Sequence, residues 1–339
     1  GIQDMRVSAD RSIQTAVSAL NTKLVQVQEL NVQIAGGSAA KRDVSALFDH
    51  REALIGEIAE LVPVKEMRRP NQGVALYTQG GALLLDGNAA ELAFTNANTI
   101  VPHMTQAGGL LSGITINGVD VSVDPEHGPL RGGQLGAFFE IRDDLAVGAQ
   151  AELDAVARDL SERMQDAGLD PTTPTGAAGL FTDAGAYVDA ANEVGLASRI
   201  SVNAVVDPDR GGESWRLRDG LGAAVRGPVG NAELLQSFAS ALSSTRSYAS
   251  GGFAGQIAAA SDLASLVTEK FGSQRLGAEQ KLTFAAVRAT EAEQFLMADG
   301  VDTDRELQRL MLIEQAYAAN ARVLQTVDDM MNALMGALR

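Results

Sequence analysis

Ile13-Gln14-Thr15-Ala16-Val17-Ser18-Ala19-Leu20-Asn21-Thr22-Lys23-Leu24-Val25-Gln26-Val27-Gln28-Glu29-Leu30-Asn31-Val32-Gln33-Ile34 sets its apolar residues at alternating spacings of three and four. Ile13, Val17, Leu20, Leu24, Val27 and Ile34 form one seam, and Asn31 is the polar residue within it. That heptad spacing predicts a helix packed along a single stripe. Asn31 either sets the register of the seam or sits solvated at its edge. Gly36-Gly37-Ser38 is expected to break the helix. A second helix is predicted over residues 44–61, with Leu47, Leu54, Ile55, Ile58 and Leu61 on one face and Pro63 as its stop.

Beyond Pro63 the period changes from helical to alternating. Val74-Ala75-Leu76-Tyr77-Thr78 and Ala82-Leu83-Leu84-Leu85 flank Gln79-Gly80-Gly81, which reads as a hairpin. In a second hairpin, Ile114 and Ile116 alternate into Asn117-Gly118 and Val119, Val121 and Val123 alternate out. Asn-Gly supplies the two positive-φ positions of a type I′ turn. Residues 63–130 are therefore expected to form a small β-rich domain. Helix returns over residues 135–164, carrying Phe138, Ile141, Leu145, Leu153, Val156, Leu160 and Met164, and Gly168 and Pro171 close it. Residues 171–185, rich in Thr, Pro, Gly and Ala, read as a loop. Strands are expected at 200–206 and 215–217, with Asp207-Pro208-Asp209-Arg210-Gly211-Gly212 turning between them. From residue 231 onward the pattern is helical.

A second heptad seam runs near the C-terminus through Leu310, Ile313, Tyr317, Asn320, Leu324, Val327, Met331, Leu334 and Leu338. Thr303 and Glu306 form a capping box ahead of it. Such a seam serves as an intramolecular core stripe or as a contact between subunits. Its narrowness favours the second use. Its apolar side chains, at roughly 1.5–3 kcal/mol each, would contribute on the order of 10–20 kcal/mol before ordering costs. The expected fold class is multidomain α plus β. An elongated helical-bundle core is assembled from residues 1–62, 131–170 and 229–298. Small β-rich insertions occupy 63–130 and 171–228, and a C-terminal coiled-coil helix occupies 299–339.

Composition narrows the function. The 339 residues are 45% hydrophobic, normal for a folded chain, but only 4% aromatic, which speaks against a deep ligand cleft. A formal net charge of −16 disfavours nucleic acid and anionic membrane surfaces. The absence of cysteine excludes disulfides, thiolate metal sites and thiol nucleophiles. No apolar run is long enough to span a bilayer, so no membrane insertion is expected. No signal peptide is visible. The chain starts at Gly1 without an initiator Met, and is read as a fragment lacking an N-terminal region.

The residues that invite a chemical reading have simpler explanations. His50, His103 and His127 are the only histidines, and none has a second ligand at metal spacing. Asp299, Asp302, Asp304 and Glu306 lack the glycine and alternation of a calcium loop, and helix capping accounts for them. Gly227-Pro228-Val229-Gly230 lacks the Gly-Lys-Ser/Thr ending of a phosphate loop. No catalytic, cofactor-binding or metal-ligating residue is assigned, and no cofactor is expected.

The tail from Leu310 through Gln315-Ala316-Tyr317 to Val323-Leu324-Gln325-Thr326-Val327-Asp328-Asp329-Met330 resembles the C-terminal signature of bacterial flagellar axial proteins. Leu30-Asn31-Val32-Gln33-Ile34-Ala35, Asp49-His50-Arg51-Glu52-Ala53-Leu54 and Gly132-Gly133-Gln134-Leu135-Gly136-Ala137-Phe138-Phe139-Glu140-Ile141-Arg142-Asp143 are similar to the helical domain of one branch. So is Leu153-Asp154-Ala155-Val156-Ala157 leading to Gly179-Leu180-Phe181. That branch is the hook-associated junction family (hook-associated protein 1). Two segments depart from its pattern: Val44-Ser45-Ala46 stands where Asn-Asp-Leu is usual, and Arg163-Met164-Gln165-Asp166 where Asn-x-x-His is.

The resemblance implies a non-enzymatic junction subunit that polymerises between hook and filament. It would leave the cell through the flagellar type III apparatus without a cleaved signal. The implied partners are the hook protein, the second junction protein, further copies of the chain in the axial structure, and an export chaperone on the C-terminal helix. The alternatives are another axial component, hook or rod, or an extracellular ligand-binding or adhesive protein.

Overall fold

The computed structural model describes residues 1–166 and 168–299, together with Met311 and Glu314. The chain divides into two compact units, Gly1–Leu266 and Val267–Arg339.

The first unit is organised on α1, a 38-residue helix spanning Ile2–Ala39. Ile13, Val17, Leu20, Leu24, Val27 and Ile34 are all buried along it, joined by Leu30, as the heptad spacing requires. The helix does not break at Gly36-Gly37. It continues to Ala39, where the Ala40 N–H closes the last turn on Gly36 O at 3.1 Å. Helix propensity is a weak prior that packing overrides, and here α1 folds against the returning chain. A Cβ on Gly37 would lie 2.6 Å from Val44 Cγ1, so the glycine admits the next segment rather than ending the helix. α2 spans Ser45–Leu61 and buries Leu54, Ile55 and Ile58 against the same core. Asn31 is neither solvated nor a coiled-coil register residue. Its side-chain amide donates to Val74 O (2.9 Å), while Oδ1 accepts from Val74 N and from Arg51.

Strands follow in two small antiparallel sheets. β1 (Val64–Arg68), β2 (Val74–Thr78), β3 (Leu83–Asp86) and β4 (Asn88–Ala89) form a sheet in sequential order. β5 (Leu92–Ala93), β6 (Ile114–Ile116) and β7 (Val119–Val121) form the second. Both expected hairpins are present as β2–β3 and β6–β7. Asn117 and Gly118 take φ of +51° and +79°, the left-handed pair that a type I′ turn demands. Burial does not alternate strictly along β2 and β3, whose Leu76, Leu84 and Leu85 join the helices' own apolar cluster.

α3 (Gly133–Glu140) passes through a π-turn at Ile141–Leu145 into α4 (Ala146–Met164), so the helix expected at 135–164 is interrupted by one wide turn. Leu135 and Phe139 reach the core of α1, where Phe139 meets Phe94 edge-on, ring centroids 5.8 Å apart.

The region after α4 departs most from expectation. β8 (Phe181–Asp183) lies inside the segment expected to be loop, and pairs with β9 (Ile200–Val202) beyond the short helix α5 (Leu196–Arg199). Residues 204–206 are a 3-10 turn rather than strand. Residues 215–217 are not a strand either: they enter the short helix α6 (Arg216–Asp219). Trp215 there stacks against the guanidinium groups of Arg216 and Arg226, 5.3 and 5.9 Å from the ring centroid. The helical C-terminal region is likewise interrupted. α7 (Glu233–Ser243) is followed by the hairpin strands β10 (Arg246–Ser247) and β11 (Ile257–Ala258) before α8 (Ala260–Asp299).

Candidate assembly surface

The first unit holds its buried charged residues in internal ties. Arg6 on α1 and Arg142 in the π-turn are both almost wholly buried, as is Asp10 one turn along from Arg6. Arg142 Nη1 donates to Asp10 Oδ1 (2.6 Å), its Nη2 to Ser112 O (3.0 Å), and Nε and Nη2 grip both oxygens of Asp143. The same guanidinium lies 4.9 and 5.6 Å from the ring centroids of Phe139 and Phe94. Asp10 Oδ2 accepts from Ala97 N (2.6 Å). Arg6 donates to Arg142 O (2.9 Å) and Met104 O (2.6 Å). Burial holds the Arg6 guanidinium below its ordinary value, with Asp143 and Asp10 opposing. Buried charges persist only when paired and fully bonded, and here α1, residues 95–112 and the π-turn are riveted by one such cluster. No group in it is left over for chemistry.

A second cluster ties the later elements to α4. Asp159 takes Arg163 Nε (2.7 Å) and Arg246 Nε (2.6 Å), and Arg246 reaches Glu162 (2.8 Å). Arg163 also donates to Ala241 O, Ser244 O and Ala258 O, so it terminates α7 by satisfying carbonyls that a helix end leaves open. Asp154 caps the entry to α5 through Gly195 N (2.7 Å) and Ala197 N (2.8 Å). Among the described residues no buried side-chain polar atom lacks a partner.

The residues weighed for chemistry are placed as follows. Asp124-Pro125-Glu126-His127-Gly128 is a turn in which Asp124 Oδ1 accepts from Glu126 N and His127 N, and the His127 ring projects into solvent. The Gly227 N–H is spent on Asp219 Oδ2 (3.0 Å), so that loop offers no anion cradle. Asp219 in turn is pulled down to about 2, first by the Arg218 guanidinium bonded to it and then by that backbone donor. Among the described residues no group of three potential metal ligands is brought together. No described helix is long and apolar enough to cross a membrane.

In the second unit, the described part of α8 carries exposed apolar residues: Leu276, Leu282, Phe284, Val287 and Phe295, of which Leu282 and Phe295 are 71% and 76% exposed. Leu276, Phe284 and Val287 line a shallow groove with Glu279, Gln280 and Thr283. The expected seam, Leu310, Ile313, Tyr317, Asn320, Leu324, Val327, Met331, Leu334 and Leu338, lies outside the described residues, as do Thr303, Glu306 and the acids Asp302 and Asp304. The sequence pattern does not single out the exposed face of α8. Its apolar residues are diluted among Ala, Thr and charged residues, so no regular stripe announces it.

Residues 1–180 match the family model described as the helical domain of the flagellar hook-associated protein FlgK. Residues 292–337 match the model described as the C-terminal region of flagellar basal body rod FlgEFG proteins. Among solved structures, the flagellar hook junction protein FlgK from Burkholderia pseudomallei is similar over 53% of this chain and 32% of its own, at 25% identity and a TM-score of 0.42. The chain thus spans about a third of that protein's length. No curated protein matches the chain.

Proposed function

Because the chain belongs to the family of the flagellar hook-associated protein FlgK, we propose that it is a structural subunit of the hook–filament junction, adapting one helical polymer to the other without catalysing a reaction. The observation that carries this reading is the helical-domain match across residues 1–180. The tail match at 292–337 supports a role in the axial part of the flagellum.

The physical character of the first unit suits a load-bearing part. Its buried charges are held in internal ties such as Arg142–Asp10, which resist relative movement of α1 and the π-turn. The proposed axial contacts are made by the C-terminal seam from Leu310 to Leu338 and by the exposed apolar face of α8. The proposed partners are the hook protein, the second junction protein, neighbouring copies, and an export chaperone that covers the C-terminal seam before assembly. Residues 63–130 are proposed as a β-rich insertion that shares its apolar cluster with α1 and α2, and residues 171–228 as a β-containing insertion. The proposed location is the extracellular flagellum, reached through the flagellar type III apparatus.

The test is immunogold labelling of isolated hook–filament particles with antibodies raised against this chain. Gold confined to the boundary between hook and filament is expected. Label along the hook or rod would make the chain a different axial component, and an unlabelled particle would reject the reading.

A further inference from the structure

β1 is an edge strand: within its sheet it pairs with β2 alone. Two flanking bonds fix which of its backbone groups are already used. Gln79 N–H donates to Pro63 O (2.9 Å) and Arg69 N–H donates to Gly73 O (2.8 Å). In an antiparallel ladder the bonded residues alternate, so residues 63, 65, 67 and 69 turn their N–H and C=O groups toward β2. Glu66 and Arg68 turn theirs outward. The side chains of residues 65–68 are all exposed, Met67 at 48%. Glu66 and Arg68 make no short ion pair among the described residues, although the Glu66 carboxylate acts on the nearby Arg51 guanidinium, whereas the adjacent Arg69 is held by Asp86 through two bonds (3.0 and 2.6 Å).

A free edge is a template for another strand, and the charges on this one specify what that strand must carry. An antiparallel partner needs a base opposite Glu66 and an acid opposite Arg68. Read from its own N-terminus, that is acid–x–base. β1 itself reads Glu66-Met67-Arg68.

We propose that two copies of this chain join edge to edge through β1, about a twofold axis passing between their Met67 residues. Glu66 of each copy then faces Arg68 of the other, and each such pair exchanges two backbone hydrogen bonds. The two Met67 side chains meet as the close, non-bonded pair at the centre. Lys65 falls opposite Arg69, whose charge is already matched by Asp86. The register is specified, because a slip of two residues either way sets Glu66 against Glu66 or Arg68 against Arg68, and like charges directly opposite repel. The contact is isologous, so it closes at two copies. It concerns the free chain and does not rest on the junction reading.

The test is sedimentation velocity of the full chain at concentrations up to about 1 mM, where even weak pairing registers. A concentration-dependent monomer–dimer equilibrium is expected for the unaltered chain. Glu66→Arg and Arg68→Glu each give one copy an edge of a single sign, so each alone weakens dimerisation by about tenfold or more. An equimolar mixture of the two single mutants restores it, and so does the double charge swap in one chain. Both residues are exposed, so far-UV circular dichroism of every variant stays that of the parent. A parent that remains monomeric throughout overturns the proposal, as does a dimer indifferent to the single substitutions or a mixture that fails to recover.

Discussion

Replacing Asp10 by Ala puts the central rivet of the first unit to the test. Arg142 is 0% exposed and sends its 2.6 Å bond to Asp10, while the second Asp10 oxygen holds the Ala97 N–H at 2.6 Å. The substitution therefore leaves a buried guanidinium short of one partner and a backbone donor with none. Breaking a buried pair from one side costs about 3–5 kcal/mol. Asp143 still grips Arg142 through two bonds, which places the expected loss near the lower end, about 3 kcal/mol. Arg142→Met removes the buried charge while filling similar space, and the double variant should lose less than the sum of the two single losses. Urea unfolding followed by Trp215 fluorescence and far-UV circular dichroism measures all three. A loss under about 1 kcal/mol for Asp10→Ala, the scale of an ordinary exposed pair, would refute the account of the cluster as a rivet. So would strict additivity in the double variant.

Three further outcomes are expected. Asp219, held near 2 by Arg218, contributes stability that is complete above its ordinary value of 3.8 and is lost as pH falls through about 2. Carbon-detected NMR should find its midpoint near 2, rising toward 3.8 in Arg218→Gln together with an earlier acid unfolding. A parent midpoint of 3.8 contradicts this. Gly179→Ala should lower stability by about 1–3 kcal/mol, because a Cβ there would lie 2.3 Å from Met164 O, a backbone atom that cannot step aside. Gly148→Ala, in the first turn of α4 with nothing within 4 Å, should instead stabilise by about 0.4–1 kcal/mol; thermal melts of the pair decide both. Leu324→Asp or Val327→Asp should abolish chaperone capture or incorporation into the flagellum while leaving the first unit folded, and unchanged incorporation would remove the seam from the account.

The parts of the fold that could be read from sequence are those in which each residue's neighbours lie close along the chain. The seam from Ile13 to Ile34 names a helix face because its spacing is local, and Asn117-Gly118 names a turn because two adjacent residues supply both positive φ values. What failed to show depended on distant residues. Gly36-Gly37 reads as a break until Val44 is known to press against the second glycine. Trp215-Arg216-Leu217 has strand-like composition, yet strands need a partner, and β9 finds β8 instead. β10 and β11 are two residues each within a Ser-, Gly- and Ala-rich stretch, too short to show a period. The charge cluster was illegible for the same reason: Asp10 and Arg142 are 132 positions apart, and each alone reads as a surface residue of an amphipathic helix. The family resemblance, by contrast, is carried by contiguous motifs: the helical-domain match covers the internal ones as far as Leu180, and the rod-type C-terminal match covers the tail.

The most direct test of the junction role is deletion of the gene in the bacterium that makes this protein, with electron microscopy of the cells and an assay for flagellin in the medium. The account predicts hooks that carry no filament and flagellin shed outside the cell, both reversed by the intact gene. Cells that keep full filaments and swim normally would contradict it.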